Sequence, residues 1–197
     1  MNGVLTAGPV WYLIRGSGVV SLLLLTAVSA LGMATVSRWR PGRVPRFVTL
    51  GLHRNLSLLA VVFLSIHVLT AVIDPDASVR LVSVFVPSLS DRYGLWLGLA
   101  ALALDLVIAL VVTSLVRGRL PDRLWRAVHW LAYLAWPVAL LHGAGMGTDN
   151  AAAWMLAVDG ACIALFGAAV ALRLLNAPRG AGKHLEPNLE PNLGAAP

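Results

Sequence analysis

Charge is scarce in this sequence. Only 12% of its 197 residues are Asp, Glu, Lys or Arg, where a soluble domain carries about a quarter. Lysine is scarcer still, with Lys183 alone beside fourteen arginines. Cys162 is the one cysteine, which excludes an internal disulfide and a CxxC metal site; no CxxCH occurs, so covalent c-type heme attachment is excluded too. No basic stretch precedes the first apolar run and no small-residue cleavage site follows it. The expectation is a permanent first span rather than a cleaved signal peptide. No Gly-x-Gly-x-x-Gly follows a strand pattern, and Gly143-Ala-Gly-Met-Gly147 falls in a turn with no βαβ context.

What is present is hydrocarbon. The chain is 58% apolar with a mean hydropathy of +0.80, a membrane composition on one domain's length. The net charge of +6 is no nucleic-acid patch. The arginines sit mostly in short segments between apolar runs, where positive charge sets membrane orientation. The partners expected from composition are therefore membrane lipid and no nucleic acid. The bias of arginine over lysine suggests a GC-rich bacterial source and so a plasma membrane.

The apolar runs predict an all-α polytopic membrane bundle of about five transmembrane helices. After a lead-in at 1–10, spans are expected at 11–36, 47–73, 93–116, 127–145 and 151–175, each near the ~20 residues a bilayer requires. The 37–46 and 117–126 segments hold four arginines apiece, against a single acid in the second. The positive-inside rule makes both cytoplasmic, with the N-terminus outside and the C-terminus inside. The apolar segment 79–89 is too short to span and is expected at the interface, covering the outer half of the bundle. Residues 176–197, with a tandem Glu-Pro-Asn-Leu, have the composition of a disordered cytoplasmic tail.

Histidine is costly in hydrocarbon and marks functional paths there. Four occur: His53 and His67 on the second span, His129 and His142 on the fourth. Fourteen residues bring a helix within ~40° of a whole number of turns and rise ~21 Å, so His53 and His67 share a face near opposite membrane surfaces. Thirteen residues leave His142 ~140° from His129, and Pro137 between them is a candidate kink. Both spans start inside, which pairs His53 with His129 at the inner level and His67 with His142 at the outer. Two axial imidazoles per iron close both open positions and suit electron transfer rather than small-ligand chemistry. Two hemes so held would form a wire across the membrane. Packing histidines are the plain alternative, but four at matched depths argue against it. Zinc is a poor fit, since each level offers two imidazoles with no adjacent cysteine or carboxylate. His184 lies in the polar tail.

The His-x13-His and His-x12-His pairs with basic cytoplasmic loops resemble the ferric reductase-like transmembrane domain superfamily. It includes the membrane parts of NADPH oxidases and ferric reductases, and the heme subunit of the bacterial methionine sulfoxide reductase system. The resemblance covers roughly residues 11–175. It implies two b-type hemes with His53, His67, His129 and His142 as ligands. It also implies electron flow from a cytoplasmic reductant to an outer-face acceptor. The oxidases and ferric reductases add a flavin and nicotinamide domain, and this sequence shows only a short tail after its last span. The expected donor is therefore a separate cytoplasmic flavoprotein or a quinol. Five spans where many relatives have six leave room for a partner helix.

Heme propionates are anionic, and arginine matches a carboxylate geometrically. Arg54 and Arg126 flank the inner level and Arg15 the outer, although ordinary positive-inside charge explains Arg126 as well. Gly16, Gly18 and Gly51 could admit a porphyrin or merely a neighbouring helix. Asp105 and Asp159 sit at costly depths; each could orient a ligand histidine, bind a proton or pair with Arg15. The function expected is transmembrane electron transfer through two bis-histidine b hemes, as the membrane subunit of a ferric reductase-like oxidoreductase. The alternatives are a quinol-linked heme subunit serving an exported reductase, or a heme-free membrane scaffold.

Overall fold

The structure is a computed structural model that describes residues 8–36, 45–74, 79, 81–86, 94–147 and 149–176. Two of the sequence expectations concern residues outside these: the arginines of 37–44, and the tail at 177–197 with His184. Helices α1 (Pro9–Val36), α2 (Arg46–Ile73), α3 (Gly94–Leu115), α4 (Asp122–His129), α5 (Ala132–Met146) and α6 (Ala153–Leu175) follow in order, and the described residues contain no strand. Hydrocarbon offers backbone groups no partner, so each apolar run satisfies its own as helix. The polar side chains do the same. Thr26, Ser57, Ser65, Thr70 and Thr113 each donate to a carbonyl one turn back.

Proline sets two helix starts. Pro45 and Pro121 take extended backbone immediately before α2 and α4. Asp74 closes α2 in extended conformation, as the following Pro75 requires. Helices α1, α2, α3 and α6 are each long and apolar enough to cross a membrane. The chain is thus a multi-pass membrane protein.

The fourth span is not one helix. It divides into the eight-residue α4 and the fifteen-residue α5 at Trp130 and Leu131. Around that joint, Leu131 and Leu134 donate to carbonyls three residues back, at 2.9 and 3.0 Å, the tighter 3₁₀ winding. Pro137 was the expected irregularity, yet α5 runs through it. A membrane helix tolerates the lost N–H because neighbouring groups compensate. The joint falls where the sequence changes character. α4 is amphipathic, exposing Asp122, Arg123 and Arg126 and turning Trp125 and His129 inward, whereas α5 carries one titratable imidazole and no formal charge.

Helix α1 packs along α2, α6 and α5, and α5 packs along α3. The solid core lies between α1, α5 and α6. There Leu22, Trp136 and Cys162 are buried against Leu25, Leu140, Val158 and Phe166. Trp136 stacks on Phe166 at 4.0 Å and donates Nε1–H to Thr26 Oγ1 at 2.8 Å. The other side of the bundle is open. Helix α2 has no buried residue and touches the bundle chiefly through α1. A cavity of about 940 Å³ remains between α1, α2, α3, α4 and α5. Its walls include Val84 from the 3₁₀ turn Leu81–Val84, which packs on α3. The described part of the 79–89 segment thus contributes Val79 and Val84 to the cavity wall.

Candidate functional site

All four membrane histidines face this cavity. Proteins pack their interiors to crystal-like density, so a void this size is not ordinary slack. It lies within the ~300–1,000 Å³ typical of cofactor and ligand pockets.

Three of the histidines are held in the same way. His67 Nδ1 lies 2.9 Å from the Ile14 carbonyl, His53 Nδ1 3.1 Å from the Val28 carbonyl, and His142 Nδ1 3.0 Å from the Trp96 carbonyl. A carbonyl oxygen only accepts, so each Nδ1 carries a proton, and the neutral ring then has its lone pair on Nε2. His129 differs: its buried Nδ1 has no hydrogen-bond partner. Its ring instead stacks on Trp125 at 4.5 Å, and the Arg117 guanidinium lies 4.2 Å from the Trp125 ring.

The rings of His67 and His142 face each other across the cavity with centroids 6.4 Å apart. A metal–imidazole bond runs about 2.0 Å, so one ion bonded to both rings holds their centres about 6 Å apart. No group of three or more His, Cys, Asp or Glu converges anywhere among the described residues. His67 and His142 thus face the cavity as a pair, with no third such group converging on them among the described residues.

Two glycines are shaped to the rings. A Cβ on Gly18 would sit 3.0 Å from His67 Cε1, and one on Gly32 would sit 3.3 Å from His53 Cε1. Gly16 and Gly51, read from the sequence as possible close approaches, face open space. Gly32 was missed, although its fourteen-residue interval from Gly18 matches that between His53 and His67.

The expected arginines all line the cavity, Arg15 toward the His67 end and Arg54 and Arg126 toward the His53 end. Arg117 and Arg173 line it too and were not singled out. Arg173 donates to the Tyr133 hydroxyl and lies 4.6 Å from the Trp130 ring. Arg15 pairs with Asp149 at 3.0 Å, not with Asp105 or Asp159 as the sequence suggested. Nor does either acid orient a histidine, since backbone carbonyls hold three of the four and His129 Nδ1 has no partner. Asp159 keeps one carboxylate oxygen buried without a hydrogen bond.

A second, smaller space of about 360 Å³ separates α2 from α3. It shares Val61, Leu64, Val68, Leu104, Val107 and Val111 with the main cavity. These residues form a common wall between the two spaces.

The family model of the ferric reductase-like transmembrane component matches residues 16–140. This chain belongs to that family. The match takes in His53, His67 and His129 and ends two residues before His142. Transmembrane domains of this family generally bind heme and are typically coupled to partner redox domains, which gives this ferric reductase-like chain a membrane redox role. No curated protein and no solved structure matches it.

Proposed function

We propose that this chain carries electrons across a bacterial plasma membrane through two b-type hemes. His53 and His129 would hold one, and His67 and His142 the other. The observation that carries the reading is the shared treatment of the imidazoles. Backbone carbonyls fix the Nδ1 of three of them, and the fourth also lines the cavity. In metal sites such a second contact fixes the tautomer and raises ligand basicity. The 6.4 Å spacing of His67 and His142, with no third ligand converging on them among the described residues, fits an ion already held in a planar macrocycle. The heme would supply one-electron redox chemistry.

The chain's own residues supply the rest. Leu25, Leu64, Ala100 and Leu104 give the cavity apolar walls that keep water from the metal and shape its potential. Arg54 and Arg126 at one end and Arg15 at the other would neutralise propionates. The direction across the membrane follows from charge. Seven of the eight described arginines, 46, 54, 117, 119, 123, 126 and 173, belong to the His53 end, an excess that supports a cytoplasmic His53 end. A cytoplasmic flavoprotein would deliver electrons there and an outer-face acceptor would collect them. The apolar gap between α2 and α3 supports a second donor, a membrane quinol entering sideways.

A reduced-minus-oxidised spectrum of the purified protein, with heme quantified per chain, tests this. The expected result is two low-spin b hemes in the wild type and one in His67→Ala. A colourless protein after expression with ample heme supply would sink the proposal. Reduction rates with a dihydroflavin and with a short-chain quinol then separate the two donors.

A further inference from the structure

Helix α1 repeats the interval of the histidines it faces. His53 and His67 lie fourteen residues apart on α2; Gly18 and Gly32 lie fourteen apart on α1, and so do Ile14 and Val28. The glycines and carbonyls meet the histidines in antiparallel order. Ile14 and Gly18 serve His67, and Val28 and Gly32 serve His53. In both cases the glycine stands four residues after the carbonyl.

That offset has a physical reason. Helical side chains tilt toward the N-terminus, so a residue covers the surface of the turn before its own Cα. The side chain at position i+4 therefore screens the carbonyl of residue i. A glycine there uncovers the carbonyl's second lone pair, the first being used by the helix's own N–H. A side chain would crowd the ring in both places, since a Cβ would stand 3.0 Å from Cε1 and 3.1 Å from Nδ1 of His67 at Gly18, and 3.3 Å from Cε1 of His53 at Gly32. His142 meets a related arrangement. Gly145 lets Trp96 close against α5, and the Trp96 carbonyl accepts from His142 Nδ1.

We propose that Gly18 and Gly32 are positioning residues, two copies of one notch on α1, each opening a backbone carbonyl that orients one ligand imidazole. The inference rests on the heme reading above. Each notch then acts on one heme only. Adding a Cβ pushes the ring from its carbonyl, makes the imidazole a poorer electron donor and destabilises the ferric state at that level. The midpoint potential of that heme rises and its affinity falls by about 10–100-fold, the usual cost of losing such a contact, while the other heme keeps both values.

The experiment is a redox titration with heme quantification on the full chain in detergent, comparing wild type, Gly18→Ala, Gly32→Ala, Gly16→Ala and His67→Ala. Gly18→Ala should alter only the component missing from His67→Ala, and Gly32→Ala only the component that remains. Gly16→Ala, where a Cβ meets nothing within 4 Å, should match wild type. If Gly18→Ala, the tighter site, does not accumulate, Gly32→Ala decides alone. The proposal is overturned if the glycine variants leave both components unchanged or move both together. It is equally overturned if both fail to accumulate while Gly16→Ala does, since that assigns the glycines to helix packing. A wild type without heme overturns the functional reading instead.

Discussion

A buried imidazole shows one bare nitrogen, and its neighbours decide which. At three positions the neighbour is a backbone carbonyl on an adjacent helix, contributed by Ile14, Val28 or Trp96. At His129 no neighbour decides it: Nδ1 has no hydrogen-bond partner, and the ring stacks on the face of Trp125. The arginines also differ among themselves. Arg15 has a side chain only 16% exposed and pairs with Asp149, while Arg54 and Arg126 are exposed at the cavity's other end. An exposed ion pair contributes about 0–1 kcal/mol, and this half-buried one is not a major prop. If Arg15 instead serves a propionate, Arg15→Gln should lower heme occupancy at the His67 level severalfold, and Asp149→Asn should not. Equal losses of heme in the two variants would assign Arg15 to the ion pair alone. Heme content per chain after equilibration with limiting heme makes the comparison.

At the scale of elements, the informative feature is the joint at Trp130 and Leu131. It lets His129 and His142 enter one cavity from positions that a continuous helix sets ~140° apart. Pro137 has no such part, because α5 is unbroken there. One alanine inserted after Leu131 should rotate α4 about 100° relative to α5 and carry His129 out of the cavity. The expected outcome is a fall from two hemes per chain to one, with the His67 component intact. Pro137→Ala should keep both. Retention of two hemes by the insertion variant would show that the joint absorbs the extra residue. The pairing of α1 with α2 belongs to this scale too. Two histidines, two glycines and two carbonyls in matched register make their interface a template for ring placement as well as a packing surface.

For the whole molecule, mass is distributed unevenly. α1, α5 and α6 form a solid wedge around Trp136, while α2 stands away from α3 and α5 and leaves the cavity. Charge is uneven as well. Of the described charges at the His67 end, Asp74 and Asp149 oppose Arg15, whereas at the His53 end Asp122 alone opposes seven arginines. Single-cysteine labelling in intact cells can check the resulting orientation, because the native Cys162 is 2% exposed and should stay silent. Asp149→Cys should react with an impermeant maleimide from outside, and Arg123→Cys only after the cells are opened. The reverse pattern would invert the electron path proposed here.

Much of this protein is one-dimensional information. The apolar runs fixed where helices form, within one or two residues at α2, α3 and α6, because bilayer thickness sets their length. The four histidines stood out because an ionisable group in hydrocarbon needs a reason. The fourteen-residue interval put His53 and His67 on one face, since that is arithmetic on helix pitch. The rest was decided only when helices met. Gly32 has no local signature; its meaning is the His53 ring against it. The partners of the histidines were sought among Asp105 and Asp159, yet they are backbone carbonyls, which every residue carries and no sequence distinguishes. Asp149 found Arg15 across 134 positions of chain, a distance that only packing closes. The joint at Trp130 and Leu131 likewise depends on α4 leaving the polar end while α5 enters the bundle. Sequence determined the helices and the expensive residues within them; tertiary structure decided which neighbour answers each one, because a helix face acquires its chemistry from the face opposite.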